Sequence, residues 1–219
     1  MEIKRAVIYF DGACLPHNPG GIATYGFVVK NTSGDTVFRG KGVAAEQGTN
    51  NIAEYTGLIE ALKKAKEMGI EQVKIYGDSM LVVNQINGVY GVRSKNIYSL
   101  YETAKKLLSQ FSDWKIQWVA RKNNKEADKL STEAFIEYIE NKNRQRIEKL
   151  RREIVIFENG YFKIKDYVIS LNPLSCNCQY FQRINSSSLL KKDNIVVKCK
   201  HILYVEEFTK SRGENTWKR

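Results

Sequence analysis

The chain lacks any long apolar run: no stretch in its 219 residues approaches the ~20 consecutive apolar residues that span a bilayer. It also lacks the apolar segment and cleavage site of a secretory signal, because MEIKRAVIYF leads straight into a strand-like run. The expectation is a cytoplasmic, intracellular protein with no membrane contact. There is no internal repeat, and SSSLLKKDN is only polar enough for a loop. Cysteine is scarce, four in all, and no C-x-x-C pair occurs, which argues against a redox motif. Acidic residues are in deficit, 24 against 35 Lys and Arg, for a net charge of +11. That excess is spread along the chain and favours a polyanionic partner through counterion release, with a solvated basic surface as the plainer alternative. What is present is ordinary for a folded protein: 42% apolar residues, enough for a sizeable core, in a length that suits one large domain or a standard domain plus a small one.

Three β-branched and aromatic runs open the chain, at 5–10 (RAVIYF), 22–30 (IATYGFVVK) and 36–43 (TVFRGKGV). Short loops such as NTSGD suggest an antiparallel meander. The period then changes: Ile52, Tyr55, Leu58, Ile59 and Leu62 predict a helix over 51–68. A strand is expected at 72–77, helices at about 79–87 and 95–110, a strand at 114–119, and a long helix from Asn124, a good N-cap. The order βββαβααβα implies an α/β fold with a mixed sheet. After Ser131 the long helix becomes highly charged (EYIENKNRQRIEKLRRE) and loses its broad apolar stripe. The expected organisation is a domain over 1–132, a charged helical connector over 133–152, with a solvated final helix of the first domain as the alternative there, and a small domain over 153–219. In the last, IVIFENGYFKIKDYVISL reads as strands with a hairpin turn at ENG.

Four carboxylates stand at the ends of these elements. Asp11 ends the first strand in YFDGACLPHNPGG, and Asp78 ends the fourth in IYGDSMLVV. Glu54 lies near the start of the first helix in TNNIAEYTGLIEAL, and Asp128 near the start of the long helix in RKNNKEADKLS. A carboxylate directly after an apolar strand points out at the carboxyl edge of the sheet, and one near a helix start sits where the macrodipole favours its charge. On a helical wheel Glu54 borders the apolar face of Tyr55, Leu58 and Leu62, so it should face the sheet. Singly, each has a bland reading as a turn residue or a dipole partner. As a set, four converging acids would repel one another unless divalent metals occupied the centre.

YFDGACLPHNPGG, TNNIAEYTGL, YGDSMLVV and WVARKNNKEADKLS, in that order, resemble type I ribonuclease H, the archaeal-type members especially, over about residues 1–132. The resemblance implies a ribonuclease H-like mixed five-stranded sheet with flanking helices. It implies endonucleolytic cleavage of the RNA strand of RNA–DNA hybrids, leaving 5′-phosphate and 3′-hydroxyl ends. Asp11, Glu54, Asp78 and Asp128 match the family's ligands for two Mg²⁺ or Mn²⁺ ions that clamp the scissile phosphate. RNA specificity would rest on 2′-hydroxyl contacts across the shallow minor groove. The matching positions are Cys14, Asn18, Asn50 and Asn51, assisted by backbone groups, with Gly12 and Ala13 among the substrate positions. Thr49 matches a phosphate contact, and Met80 and Asn124 complete the candidate substrate residues.

Three features depart from many relatives. Arg121 stands where a His often precedes the last Asp; it stays protonated and cannot be a general base, so pairing with phosphate is its expected role. Archaeal-type members share this Arg. Met80 replaces a polar RNA contact, and GVYGVRSKNIYSL is too short for the basic helical protrusion of some bacterial members. His17 reads as a solvated loop residue. Proofreading-type exonucleases carry D-x-E on the first strand, whereas Asp11 is followed by Gly12 and Ala13; the first-strand acidic pair of type II ribonuclease H is missing too. The alternatives retained are a non-catalytic hybrid-binding adaptor and a ribonuclease that also acts on double-stranded RNA.

Cys176 and Cys178 form C-x-C, and after a gap of twenty residues Cys199 and His201 form C-x-H. At a strand end, residues two apart share a face, and KHILY suggests the start of an amphipathic helix that brings His201 beside Cys199. Three thiolates and an imidazole complete a tetrahedral Zn²⁺ with no open position, hence a structural site. Ordinary buried thiols are the alternative; a Cys176–Cys178 disulfide would be strained and leave Cys199 odd. SLNPLSCNCQYF and VVKCKHILYV together are similar to the SWIM zinc finger over about 153–208, which implies a small β-β-α domain stapled by the metal. Lys163, Lys165, Arg183, Lys191, Lys192, Lys198 and Lys200 lie among Tyr161, Phe162, Tyr167, Tyr180 and Phe181, a mix that suits phosphate contact and base stacking. The rival role is docking of a protein partner.

Overall fold

In the computed structural model, which describes residues 4–212 apart from 152, 154 and 193, the chain divides into two compact units, Met1–Phe135 and Ile136–Arg219. The first is built on a five-stranded sheet of order β3-β2-β1-β4-β5. Its strands are β1 (Arg5–Leu15), β2 (Ile22–Lys30), β3 (Thr36–Ala45), β4 (Gln72–Gly77) and β5 (Asp113–Trp118). β1, β2 and β3 pair antiparallel, while β4 is parallel to β1 and β5 to β4. The helices are α1 (Asn50–Glu67), α2 (Met80–Ile86), α3 (Lys95–Leu108) and α4 (Lys125–Gln145), in the order read from the sequence. Thr49 caps α1, accepting from the Ile52 N–H at 3.3 Å. Tyr55, Leu58 and Leu62 on that helix are fully buried with Ile8, Phe10 and Ile75 of the sheet, so the 3.6-residue stripe meets the period-two face of the strands.

β1 is longer than expected. Its parallel partner β4 stops at Gly77, opposite Phe10, but its antiparallel partner β2 continues to pair from Asp11 opposite Gly26 to Leu15 opposite Ile22. Asp11 therefore lies within a strand and not at its end. It still emerges at the carboxyl edge of the parallel pair, because it is the first residue beyond the reach of β4.

α4 ends at Gln145, and a short 3-10 turn follows at Ile147–Leu150. Residues 133–152 are thus divided between the units: 133–135 belong to the first and 136 onward to the second. The charged segment keeps a narrow buried seam, with Phe135, Ile139, Asn143, Ile147 and Leu150 at spacings of three and four, all apolar but Asn143. The second unit is larger than a strand pair and a helix. Four antiparallel strands, β6 (Ile156–Glu158), β7 (Tyr161–Ile164), β8 (Tyr167–Leu171) and β9 (Leu174–Cys176), lie in sequence order. They are joined by α5 (Gln179–Ile184), α6 (Ser188–Lys192) and α7 (Lys200–Arg212). The expected ENG turn links β6 to β7, with Asn159 and Gly160 both at positive φ, 50° and 81°, as a two-residue hairpin turn requires. Ile147, Leu150, Phe162, Ile164, Ile169, Ile202 and Leu203 form this unit's own core.

Candidate active site and Cys3His cluster

Two glycines let the acidic residues meet. A Cβ on Gly12 would lie 2.2 Å from the Glu54 nitrogen, so only glycine lets β1 run against the start of α1. A Cβ on Gly26 would lie 2.4 Å from the Ala127 carbonyl, so β2 touches the first turns of α4 in the same way. These approaches bring Asp11, Glu54 and Asp78 together, with one oxygen of each within 4.8 Å of the others. Asp11 and Glu54 are 4% and 7% exposed. Asp128 is not part of that close trio. It is more open and is engaged by the Arg121 guanidinium in an ion pair.

The electrostatics follow from burial. Desolvation, then the charge of Asp78, pushes the Asp11 carboxyl up to about 8, against a hydrogen bond from Ser131 that pulls it down. Burial, then Asp11 and Asp78, holds Glu54 well above the usual carboxylate range. Glu54 Oε2 is buried with no hydrogen-bond partner among the described residues. A buried carboxylate oxygen without a donor, beside two further carboxylates, is a poor arrangement for three anions and a good one for cations placed among them. The donor set, all hard oxygens, fits Mg²⁺ or Mn²⁺.

Asn124 plays a different part from the one read in the sequence. Its side chain is not the cap of α4, and at 1% exposure it is closed to a substrate. Instead its amide Nδ2 donates to the Phe10 carbonyl and to Asp78 Oδ1, both at 2.8 Å, tying the start of α4 to the ends of β1 and β4. Two contributors were not singled out from the sequence. Ser131 Oγ lies 2.6 Å from Asp11 Oδ2 and donates to it, and the Trp118 indole N–H donates to the Asp78 carbonyl at 3.0 Å. Ser131 follows Asp128 by three residues, so the shared helix face was a usable signal; Trp118 had none.

The candidate substrate positions cluster where the loop after β1 meets the cap of α1. The Cys14 thiol is 6% exposed, with its single S–H within reach of the His17 and Gly48 carbonyls, so it does not offer its side chain to a ligand. Its backbone N–H donates to Asn50 Oδ1 at 2.7 Å, and the Asn50 N–H donates to Asn18 Oδ1 at 3.1 Å. Asn18 and Asn50 are exposed, Thr49 and Asn51 are half-buried, and Ala13 is buried within the β1 ladder opposite Thr24. Met80, 51% exposed, begins α2 two residues after Asp78.

In the second unit Cys176, Cys178, Cys199 and His201 are all buried, with one ligand atom of each within 4.8 Å of the others. Cys176 ends β9, Cys178 caps α5 by accepting from the Phe181 N–H, and Cys199 and His201 flank the start of α7. The thiols are reduced, and Cys176 Sγ lies 3.8 Å from His201 Nδ1. Hydrogen bonds from Cys176 and Cys199 draw Cys178 toward the thiolate. His201 Nε2 is buried with no hydrogen-bond partner among the described residues, and Tyr167 stacks on the ring at 4.0 Å between centroids. Four convergent soft and borderline donors, one ring carrying an orphaned nitrogen, fit a closed tetrahedral Zn²⁺. Among the cations expected to grip nucleic acid, Lys163, Lys165 and Lys198 pair with Glu158, Glu153 and Glu206. The side chain of Lys192 lies outside the described residues. No helix among the described residues is long and apolar enough to cross a membrane.

Residues 9–134 match the family model described as reverse transcriptase-like. Ribonuclease HI of Halobacterium salinarum is 38% identical over 131 residues, 60% of this chain, and the match spans 64% of that protein's length. Among solved structures, the N-terminal RNase H domain of Rv2228c from Mycobacterium tuberculosis superposes with a TM-score of 0.59 at 34% identity, covering 63% of this chain and 98% of that one. LC11-RNase H1, solved in complex with an RNA/DNA hybrid, gives a TM-score of 0.57 at 28% identity, over 61% of this chain and 98% of that one. The mixed five-stranded sheet and its helices are the ribonuclease H fold.

Proposed function

As the chain belongs to the reverse transcriptase-like family through residues 9–134, with a domain of the type I ribonuclease H kind, we propose that it hydrolyses the RNA strand of RNA–DNA hybrids with the help of divalent cations. The observation that carries this is the close trio of Asp11 and Glu54, both buried, and the half-buried Asp78, with a Glu54 oxygen that has no donor among the described residues. These three, joined by Asp128, would hold two Mg²⁺ or Mn²⁺ ions. When bound there, such ions lower the pKa of a water for in-line attack on the phosphate and stabilise the leaving 3′ oxygen.

The chain's own residues prepare that site. Asn124 fixes one oxygen of Asp78 and leaves the other for the centre. Ser131 donates to Asp11 and favours its ionised form. Arg121 holds Asp128 at the rim and puts a permanent positive charge where a scissile phosphate would approach. Asn50 and Asn18, linked through their carbonyl oxygens, keep amide N–H groups for ribose 2′-hydroxyls, so the Cys14 backbone acts by orienting Asn50. In the second unit Cys176, Cys178, Cys199 and His201 would hold one structural Zn²⁺ in a SWIM-type finger that adds affinity for nucleic acid.

The test is cleavage of an end-labelled hybrid with Mg²⁺ or Mn²⁺, comparing the intact protein with Asp78→Asn. Products with 5′-phosphate and 3′-hydroxyl ends from the intact protein alone are expected. Binding without cleavage by the intact protein would mean an adaptor and overturn the enzyme reading.

A further inference from the structure

A groove of about 440 Å³ opens over the Cys3His cluster, within the second unit. Its rim carries Arg146, Lys149 and Lys200, and its walls include Asn143, Tyr167 and Tyr180. The three cations differ from most others in this unit. Lys163, Lys165, Lys198, Arg144 and Arg151 each lie against a carboxylate, whereas none of the ion pairs among the described residues engages Arg146, Lys149 or Lys200. Among the described residues, Arg183, Lys191 and Lys210 also stand outside such pairs, but on α5, α6 and α7 and away from the groove.

We propose that this groove binds the backbone of a nucleic-acid strand, with phosphates on Arg146, Lys149 and Lys200 and the strand running beside the Tyr167 and Tyr180 rings. The reading deepens the role suggested above for the second unit and moves it to a defined surface. The chemistry is specific to the groove for three reasons. A cation already paired with a carboxylate must break that pair to meet a phosphate, so unpaired cations contribute the larger net gain. A Zn²⁺ with three thiolates and a neutral imidazole carries one negative charge, which three cations exceed, leaving the groove positive. The aromatic flank suits bases: Tyr167 is 36% exposed while it stacks on His201, and Tyr180 lines the same groove as Arg146.

Two of these residues also tie the groove to the cluster. Lys200 lies between the ligands Cys199 and His201, and the amide of Asn143 donates to the Lys198 carbonyl at 2.9 Å. Two of the rim cations, Arg146 and Lys149, sit in the segment that by sequence alone read as a connector.

The experiment measures binding of a short fluorescent single strand, and of a labelled hybrid, to the full chain over a range of salt, every protein carrying Asp78→Asn to prevent cleavage. The groove variant is Arg146→Gln, Lys149→Gln and Lys200→Gln; the control is Lys163→Gln, Lys165→Gln and Lys198→Gln. Three lost phosphate contacts lower the slope of log affinity against log salt by about 2 for a single strand. The groove variant is expected to show that drop, and the control to bind like the parent. Equal binding by groove variant and parent, or an equal loss in the control, overturns the proposal; in the first case the unpaired cations serve a protein partner. If the triple variant loses zinc, the pair Arg146→Gln and Lys149→Gln, which leaves α7 untouched, reads the same effect at about two thirds of the size. Made without Asp78→Asn, the groove substitutions leave Asp11, Glu54 and Asp78 in place and should raise the hybrid concentration needed for half-maximal cleavage. The nuclease reading is therefore tested separately, since it can fail while the groove binds, or stand while it does not.

Discussion

Replacing Asp11 by Asn should stabilise the metal-free protein, and the gain should depend on pH in a defined way. In the folded chain the Asp11 carboxyl is raised to about 8 by burial and by Asp78. In the unfolded chain it returns to about 4. Between these values the folded state holds a proton that the unfolded state has lost, so stability falls as pH rises through the window and the penalty is complete above pH 8. Each unit of pH is worth about 1.4 kcal/mol, which sets a ceiling of about 6 kcal/mol; water entering the site and relaxation of its neighbours reduce this. A gain above about 1 kcal/mol at pH 8 is expected, shrinking to nothing near pH 4. The assay is urea unfolding in EDTA followed by tryptophan fluorescence. Trp114 and Trp118 both lie in β5 and report the first unit, with Trp217, outside the described residues, replaced by Phe in parent and variant alike. Adding Mn²⁺ at pH 8 should stabilise the parent more than the variant, because the ion takes the place of the proton. A gain that does not change with pH, or a parent more stable than Asp11→Asn at pH 8, would refute the electrostatic account of this site.

Three further outcomes follow from the same geometry. Asn124→Ala removes one hydrogen bond to a carbonyl and one to the Asp78 carboxylate and should cost about 3 kcal/mol in urea unfolding, with the cleavage rate reduced as well. Ser131→Ala removes the one hydrogen bond that lowers the Asp11 carboxyl, so the acidic limb of the pH–activity profile should move to higher pH; an unmoved limb would disconnect Ser131 from the site. Cys199→Ser, or a strong chelator, should release one Zn²⁺ per chain and abolish the circular dichroism of the second unit while the tryptophan signal of the first is retained.

Much of this arrangement was legible in residue patterns, because those patterns are local. The βββαβααβα order follows from apolar periods of 2 and 3.6, and each of the four acids could be placed at an element's start or edge from its neighbours. The Cys3His set was legible from C-x-C and C-x-H, since residues two apart on a strand end face the same way and the helix start expected at KHILY put His201 beside Cys199. The burial of Glu54 likewise followed from its position beside Tyr55 and Leu58 on one helix face.

What the sequence determined by itself is therefore the order of the elements, the identity of the acidic and thiol groups, and the excess of positive charge. What only the tertiary structure decided is which partner each group has. Asn124 looked like a helix cap, but its amide turned to Phe10 and Asp78, residues 114 and 46 positions away. Ser131 reached Asp11 across 120 positions, and β1 ran on past Asp11 because β2, not β4, continued beside it. Seven lysines and arginines of the second unit looked alike in sequence until carboxylates claimed Lys163, Lys165 and Lys198 and left Lys200 on a groove with Arg146 and Lys149. A hydrogen bond or ion pair reaches only a few ångströms, so which atoms come within that range is set by how distant segments pack, and spacing along the chain carries no record of it.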